Sequence, residues 1–182
     1  MALFERSGKE AHPDFPTEPA FIVRVKVCDT PQYGMGHKGV FSLAPIPAGT
    51  KFWLWTDRVI QIHHSDLQDY IDNNCGTEEE VKLFLRQGFV LPSNPDFFNS
   101  NPTDAGRFMN HSGTPNCGPD GTLRDIEEGE ELTMDYAFHG NPDWYQAICR
   151  KYGVPTEAEI AAACHILPTS EQDTSKAQSD NI

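Results

Sequence analysis

In the stretch AFIVRVKVCD, Ile22, Arg24 and Lys26 alternate with Val23, Val25 and Val27, the period-two pattern of a strand with one buried face. A β-strand is predicted there. TPQYGMGHKG then reads as a Gly-rich loop, and VFSLAPIPAGTKFWLWTDRVIQI, β-branched and aromatic but broken by Pro45, Pro47 and Gly49, predicts two or three short strands joined by a turn at PAGT. From about residue 64 to 90 the period changes. Ser65 or Asp66 is positioned to cap a short helix, and Thr77 with Glu80 forms a capping box ahead of Val81, Phe84 and Leu85, so this region is a mainly helical insert. VLPSNPDFFNSNPTDAG, with three Pro and three Asn, predicts strand fragments and turns. GPDG and EEGE are turns, and ELTMDYAF is a strand. NPDWYQAICRKYG predicts a helix with Trp144, Ile148 and Tyr152 on one face and Gly153 as its stop; PTEAEIAAACHIL follows as a last helix after Thr156.

These elements describe a β-rich α+β domain over residues 21–140, followed by a helical segment over 141–167. A loose arm, residues 1–20 with Pro13, Pro16 and Pro19, precedes it, and a polar, disordered tail, 168–182, follows. No internal repeat is visible.

Composition narrows the function classes. A chain of 182 residues with 38% hydrophobic and 23% charged positions suits one domain with one sizeable core. No apolar run approaches the roughly 18 residues of a membrane span, and MALFERSGKE lacks a signal-peptide core, so an intracellular protein, nuclear or cytoplasmic, with no membrane association is expected. The net charge of -13 repels nucleic-acid phosphates and favours lysine- and arginine-rich partners, or serves solubility alone. Five scattered cysteines (Cys28, Cys75, Cys117, Cys149, Cys164) contain no CxC or CxxC pair and read as free thiols. His63 and His64 resemble a metal pair only superficially, since neighbours on a strand face apart; no metal site is expected.

The segment RFMNHSGTPNC, Arg107 to Cys117, crowds Arg, two Asn, His, Ser and Thr around Gly113 and Pro115. RFMNHSGTPN is similar to the Arg-Phe-Ile-Asn-His-Ser-Cys-x-Pro-Asn signature of SET-domain protein lysine methyltransferases. LRDIEEGEELTMDYAF resembles that family's second signature, and GHKGVFSLAPIPAGT its opening Gly-x-Gly strand and Ile-Pro-x-Gly turn. The three occur in family order over roughly residues 33–139, with the helical insert between the first and second.

The resemblance implies a SET fold of several small β-sheets, with a knot-like C-terminal crossing and a short helical insert. It implies methyl transfer from S-adenosyl-L-methionine to a lysine of a basic protein such as a histone. It places the catalytic hydroxyl at Tyr136 and the donor site at Asn110, His111, Lys38 and Gly39, with Trp55 and Met134 beside the substrate lysine. Arg107 either faces the donor's carboxylate or pairs with an acid. Departures accompany the matches: His37 stands where the first Gly of Gly-x-Gly belongs, with Gly36 one place earlier; Gly113 replaces a Cys; and no Cys-x-Cys-x4-Cys follows Tyr136. In place of that zinc-bound segment, the helix NPDWYQAICRKY is expected to cover the donor, with Trp144 either on its adenine or anchoring the helix in the core. These departures keep a second class open, an inactive SET-like module that binds basic peptides.

Overall fold

The computed structural model describes residues 20–30, 37–57, 59–100 and 104–166. The Gly-rich loop around Gly34 and Gly36, the arm before Ala20 and the tail after Ile166 lie outside the described residues.

The alternating valines build β1 (Val25–Asp29), which pairs antiparallel with β2 (Lys38–Ser42) from Val25↔Ser42 to Asp29↔Lys38. Val25 and Val40 point inward and are nearly inaccessible, while Lys26 stays exposed. The other edge of β2 receives a strand far along the chain, β9 (Glu131–Met134), through Val40↔Leu132 and Phe41↔Glu131. β9 in turn holds β6 (Asn110–His111) in parallel, with Asn110 opposite Thr133 and His111 opposite Met134. The order β1-β2-β9-β6 makes β6 the last strand of this sheet.

A second sheet has the order β3-β5-β4, from β3 (Val59–Ile62), β4 (Gly88–Leu91) and β5 (Asn94–Ser100). β5 is one strand of seven residues, longer than the expected fragments. Pro95 is tolerated because it falls where the β4–β5 register shifts, before Phe97 begins to pair with Ile62. The third sheet is the two-stranded hairpin of β7 (Cys117–Gly118) and β8 (Gly121–Thr122). The PAGT turn places Gly49 at φ 75°; the strands of this stretch are β2 before the turn and β3 after it, and nearer the turn Ile46 and Trp53 form only isolated bridges, with Ile126 and Phe21.

Between β3 and β4 lie the insert helices α1 (Leu67–Asn74) and α2 (Glu78–Arg86). Asp66 is the N-cap of α1 by position but makes no capping hydrogen bond. Thr77 and Glu80 form both halves of the α2 capping box. Helix α3 (Asp143–Lys151) stops before Gly153 at φ 67°, and α4 (Glu157–Ile166) follows Thr156.

Two apolar cores result, where composition predicted one. The first gathers Val25, Val40, Ile46, Phe52, Ile126 and Leu132 from the four-stranded sheet and its loops. The second gathers Leu67, Ile71, Leu85, Phe97, Tyr145 and Cys149, so the insert and α3 share it. Gly88 is compulsory there: a Cβ would lie 1.9 Å from Cζ of Phe97. The Tyr145 hydroxyl donates to the Gly88 carbonyl at 3.1 Å, and Asn99 Nδ2 donates to the Phe84 carbonyl at 2.7 Å, which fixes the insert against its sheet.

Candidate active site

Asn110 and His111 meet β2 and the end of β9 because β6 lies along β9. Asn110 Nδ2 donates to the Lys38 carbonyl at 2.9 Å and to Glu131 Oε1 at 2.7 Å. Glu131 therefore belongs to this group, although no sequence signal singled it out beyond its place in the second signature. Its carboxylate sits where a side chain at position 39 would be, since a Cβ on Gly39 would approach Oε1 to 2.3 Å. Lys38 turns away and pairs with Asp29 at 2.8 Å. Asn116, the last Asn of the first signature, is buried and staples the strands: Nδ2 donates to the Glu131 carbonyl at 2.7 Å, and Oδ1 accepts from the Thr133 N–H at 2.8 Å.

His111 is 8% exposed, and its Nδ1 accepts from the Tyr136 N–H at 3.1 Å. That bond assigns the neutral ring a proton on Nε2. Asp135 Oδ1 stands 3.7 Å from the same Nδ1, a contact that gains strength only if the ring is protonated. His111 thus orients the turn Tyr136–Phe138, and the Tyr136 hydroxyl donates to the Met109 carbonyl at 2.7 Å. A phenol oxygen can accept as well as donate.

Tyr136 lies on the wall of a cleft of about 250 Å³, with Trp53, Trp55, Phe89, Met134 and Phe138. Trp55 is half exposed and packs edge-on against Trp53 and Phe98, with centroids 5.8 and 5.2 Å apart. The cleft is apolar along its walls yet also lined by Lys51, Arg86 and Arg107, against Asp120 and the close pair His139–Glu157. Burial pulls the Arg107 guanidinium below its ordinary pKa, with Asp104 opposing the shift, and the guanidinium lies 4.5 Å over the Phe108 ring. It faces the cleft rather than the Asn110 group. Burial also raises the Glu157 carboxyl against the opposing effect of His139.

The structure thus makes two neighbouring groups of the expected residues: Lys38, Gly39, Asn110 and His111 on one side, and Trp55, Met134 and Tyr136 on the other, joined by the His111–Tyr136 contact. Trp144 joins neither. Its neighbours are His64 and Tyr145, with centroids 5.8 and 5.7 Å away, at the margin of the second core, so the core-anchor alternative fits it. α3 buries Tyr145 and Cys149 against the insert, and it is α4 that packs on the Tyr136–Phe138 turn. The argument that His63 and His64 face apart is corrected. They lie past the end of β3, at the entry to a 3-10 turn, with ring centroids 4.2 Å apart.

Among the described residues no helix is long and apolar enough to cross a membrane. Over 51% of its length the chain is 25% identical to the histone-lysine N-methyltransferase SETD7 of Halocynthia roretzi, of which it covers 31%. A solved structure described as ctPRC2 in an autoinhibited conformation bound to S-adenosylmethionine is similar over 70% of this chain and 16% of that one, at 18% identity and a TM-score of 0.49. The chain therefore spans less than a third of the length of either. Residues 37–137 match the sequence profile of the SET domain, a stretch that holds both signatures, the cleft tyrosine and the β6–β9 pairing, and the chain belongs to the SET domain family.

Proposed function

We propose that the protein is an S-adenosyl-L-methionine-dependent protein lysine N-methyltransferase in which Tyr136 is the catalytic residue. The observation that carries this is the phenol of Tyr136, held by the Met109 carbonyl on the wall of an aromatic cleft and joined through His111 to the edge strand β6. The donor site is the outer edge of β6 at Asn110 and His111 together with Lys38 and Gly39. These residues fit a zwitterionic nucleoside: Glu131 and the Lys38 carbonyl offer acceptors for an ammonium, and Gly39 has no side chain. S-adenosyl-L-methionine supplies a methyl group on a sulfonium, so the C–S bond breaks as an N–C bond forms and a thioether leaves. The parallel seat of β6 beside β9 is read as part of the family's knot-like crossing.

The chain's own task is to present a neutral amine in line. Lysine's reference pKa is about 10.4, and the rings of Trp53, Trp55, Phe89 and Phe138 strip water from the ammonium, which favours the neutral form. The Tyr136 oxygen, its own proton committed to Met109, accepts an amine N–H and fixes the direction of the lone pair. Alignment of this kind supplies roughly 7–11 kcal/mol in well-oriented model reactions. Met134 flanks the amine and, lacking a hydroxyl to hold a water there, leaves room for more than one methyl group. The substrate is a lysine in a basic protein such as a histone, drawn by the net charge of -13. Lys51, Arg86 and Arg107 at the cleft favour neutral or acidic residues immediately beside that lysine. Direct binding to nucleic acid or membrane is no part of this proposal, which places the protein in the nucleus or cytoplasm.

Incubation with labelled S-adenosyl-L-methionine, histones and a cell lysate tests the proposal. Label on protein lysine is expected. Tight binding of the donor with no transfer to any protein would overturn the enzymatic reading in favour of a peptide-binding module.

A further inference from the structure

We propose a divalent-metal site, suited to Zn2+, formed by His63, His64 and Asp96 on the second sheet, apart from the cleft that holds Tyr136. The three side chains offer ligand atoms that all lie within 4.8 Å of one another. The sheet register produces this meeting: Ile62 pairs with Phe97, so the next residue along each antiparallel strand sets His63 opposite Asp96. The 3-10 turn then brings the His64 ring to 4.2 Å from that of His63. None of the three lines the cleft.

The surrounding hydrogen bonds suit a ligand set. Ser65 Oγ donates to Asp66 Oδ1 at 2.7 Å, so its 2.8 Å contact with His63 Nδ1 is filled by the imidazole N–H. The Ser65 N–H, 3.4 Å from the same nitrogen, demands the opposite tautomer and is the weaker contact. The relay leaves Nε2 of His63 with its lone pair free, the arrangement by which ligating histidines are oriented through their second nitrogen. Asp96 is held in the same way, its Oδ2 accepting from Gln61 Nε2 at 2.7 Å, which leaves the other oxygen for a cation. His64 Nδ1 is buried with no hydrogen-bond partner, a cost that metal ligation or reorientation toward a metal removes.

Two imidazoles and one carboxylate are a borderline-soft donor set that takes Zn2+ in preference to Mg2+ or Ca2+. Bonds of about 2.0–2.1 Å in tetrahedral geometry put ligand atoms roughly 3.4 Å apart, so closing the set takes only rotation of side chains. A metal there fastens the end of β3 to β5 and, through the His64 ring beside Trp144, to α3. The fourth coordination position is left to water.

The full chain, stripped with EDTA and desalted, is titrated with Zn2+ by calorimetry and with Co2+ by visible absorption, and its melting temperature is followed with and without Zn2+. One saturable site, the bands of an imidazole-ligated Co2+ and a rise in melting temperature are expected. His63→Gln and Asp96→Asn should each weaken Zn2+ at least about 10-fold, in line with loss of a ligand or its support, and abolish the thermal rise, while His37→Gln changes nothing. His63 is exposed, so these variants decide the matter even where His64→Ala folds poorly. Absence of saturable binding, or binding of equal strength in the double variant His63→Gln/Asp96→Asn, overturns the site.

Discussion

The two cores of this protein do different work with similar materials. The first, around Val25, Val40 and Leu132, is assembled from strands distant in sequence, Val40 of β2 pairing with Leu132 of β9, and its surface carries Asn110, His111 and Tyr136. The second, around Leu67, Leu85, Phe97 and Tyr145, is built from the insert, its own sheet and α3, and these elements give the cleft one wall, with Arg86 of α2, Phe89 and Leu91 of β4 and Ser100 of β5. On the proposed function the difference teaches that one core positions the chemistry directly, whereas the other contributes stability and a wall of the cleft. If so, damage to the two should separate in experiment.

The largest expected effect is in the second core. Phe97→Ala removes a wholly buried ring that covers Gly88 and should cost about 3–5 kcal/mol of unfolding free energy. Calorimetry in the cold should nevertheless find the donor affinity nearly intact; a parallel loss of both would join the two cores into one functional unit. Tyr136→Phe is the mirror image. Turnover should fall roughly 100-fold or more, typical of losing one positioned polar group, with donor affinity and melting temperature little changed, and near wild-type turnover would remove the phenol from the mechanism.

Asn110→Ala and His111→Ala come next. Each breaks bonds that hold the edge strand, Asn110 to Lys38 and Glu131, His111 to the Tyr136 N–H. Donor binding measured by calorimetry should weaken by about 1–3 kcal/mol, the penalty for leaving polar partners unsatisfied; unchanged affinity in both variants would refute the donor site.

Acid should distinguish the cores more gently. Arg124, the Glu127 N–H and Asn116 hold the Glu130 carboxyl, beside the first core, down at about 2 from an ordinary 4.5, with Arg124 the largest cause. A carboxyl lowered in the folded state stabilises fully above its unfolded pKa, and that stability is lost as pH falls from about 4.5 through about 2. Because Arg124 is 53% exposed, solvent screening reduces the contribution to about 1 kcal/mol. Urea midpoints at pH 7 and pH 2 should therefore lie closer together in Glu130→Gln than in wild type, and an unaltered gap would show that the pair contributes nothing.

The smallest energetic change concerns product rather than rate. Met134 shares the cleft with Tyr136, so wild type should carry lysine to the di- or trimethyl state and Met134→Tyr should restrict it, as read by mass spectrometry of a saturated reaction. A wild type that stops at one methyl group, with Met134→Tyr making the same product, would take Met134 out of the lysine channel.

Local chemistry was legible in the sequence. The capping box of Thr77 and Glu80, the turn at Gly49, the stop at Gly153 and the alternation through Val25 all depend on residues a few positions apart, where side-chain type and backbone preference act directly. The two signatures likewise hold Asn110, His111 and Tyr136, the residues on which the proposed site rests. What tertiary structure alone decided are meetings across long stretches of chain: Asn110 with Lys38, 72 residues apart, Trp144 against His64, and α4 on the Tyr136–Phe138 turn. The second core belongs here too, because α3 has an apolar face whose spacing says that it will be buried but not against what. His63 and Asp96 show the same limit: each is an ordinary surface residue in the sequence, and only the antiparallel register of β3 with β5 turns them into neighbours, since strand pairing is set by packing of whole faces and no local pattern encodes its partner.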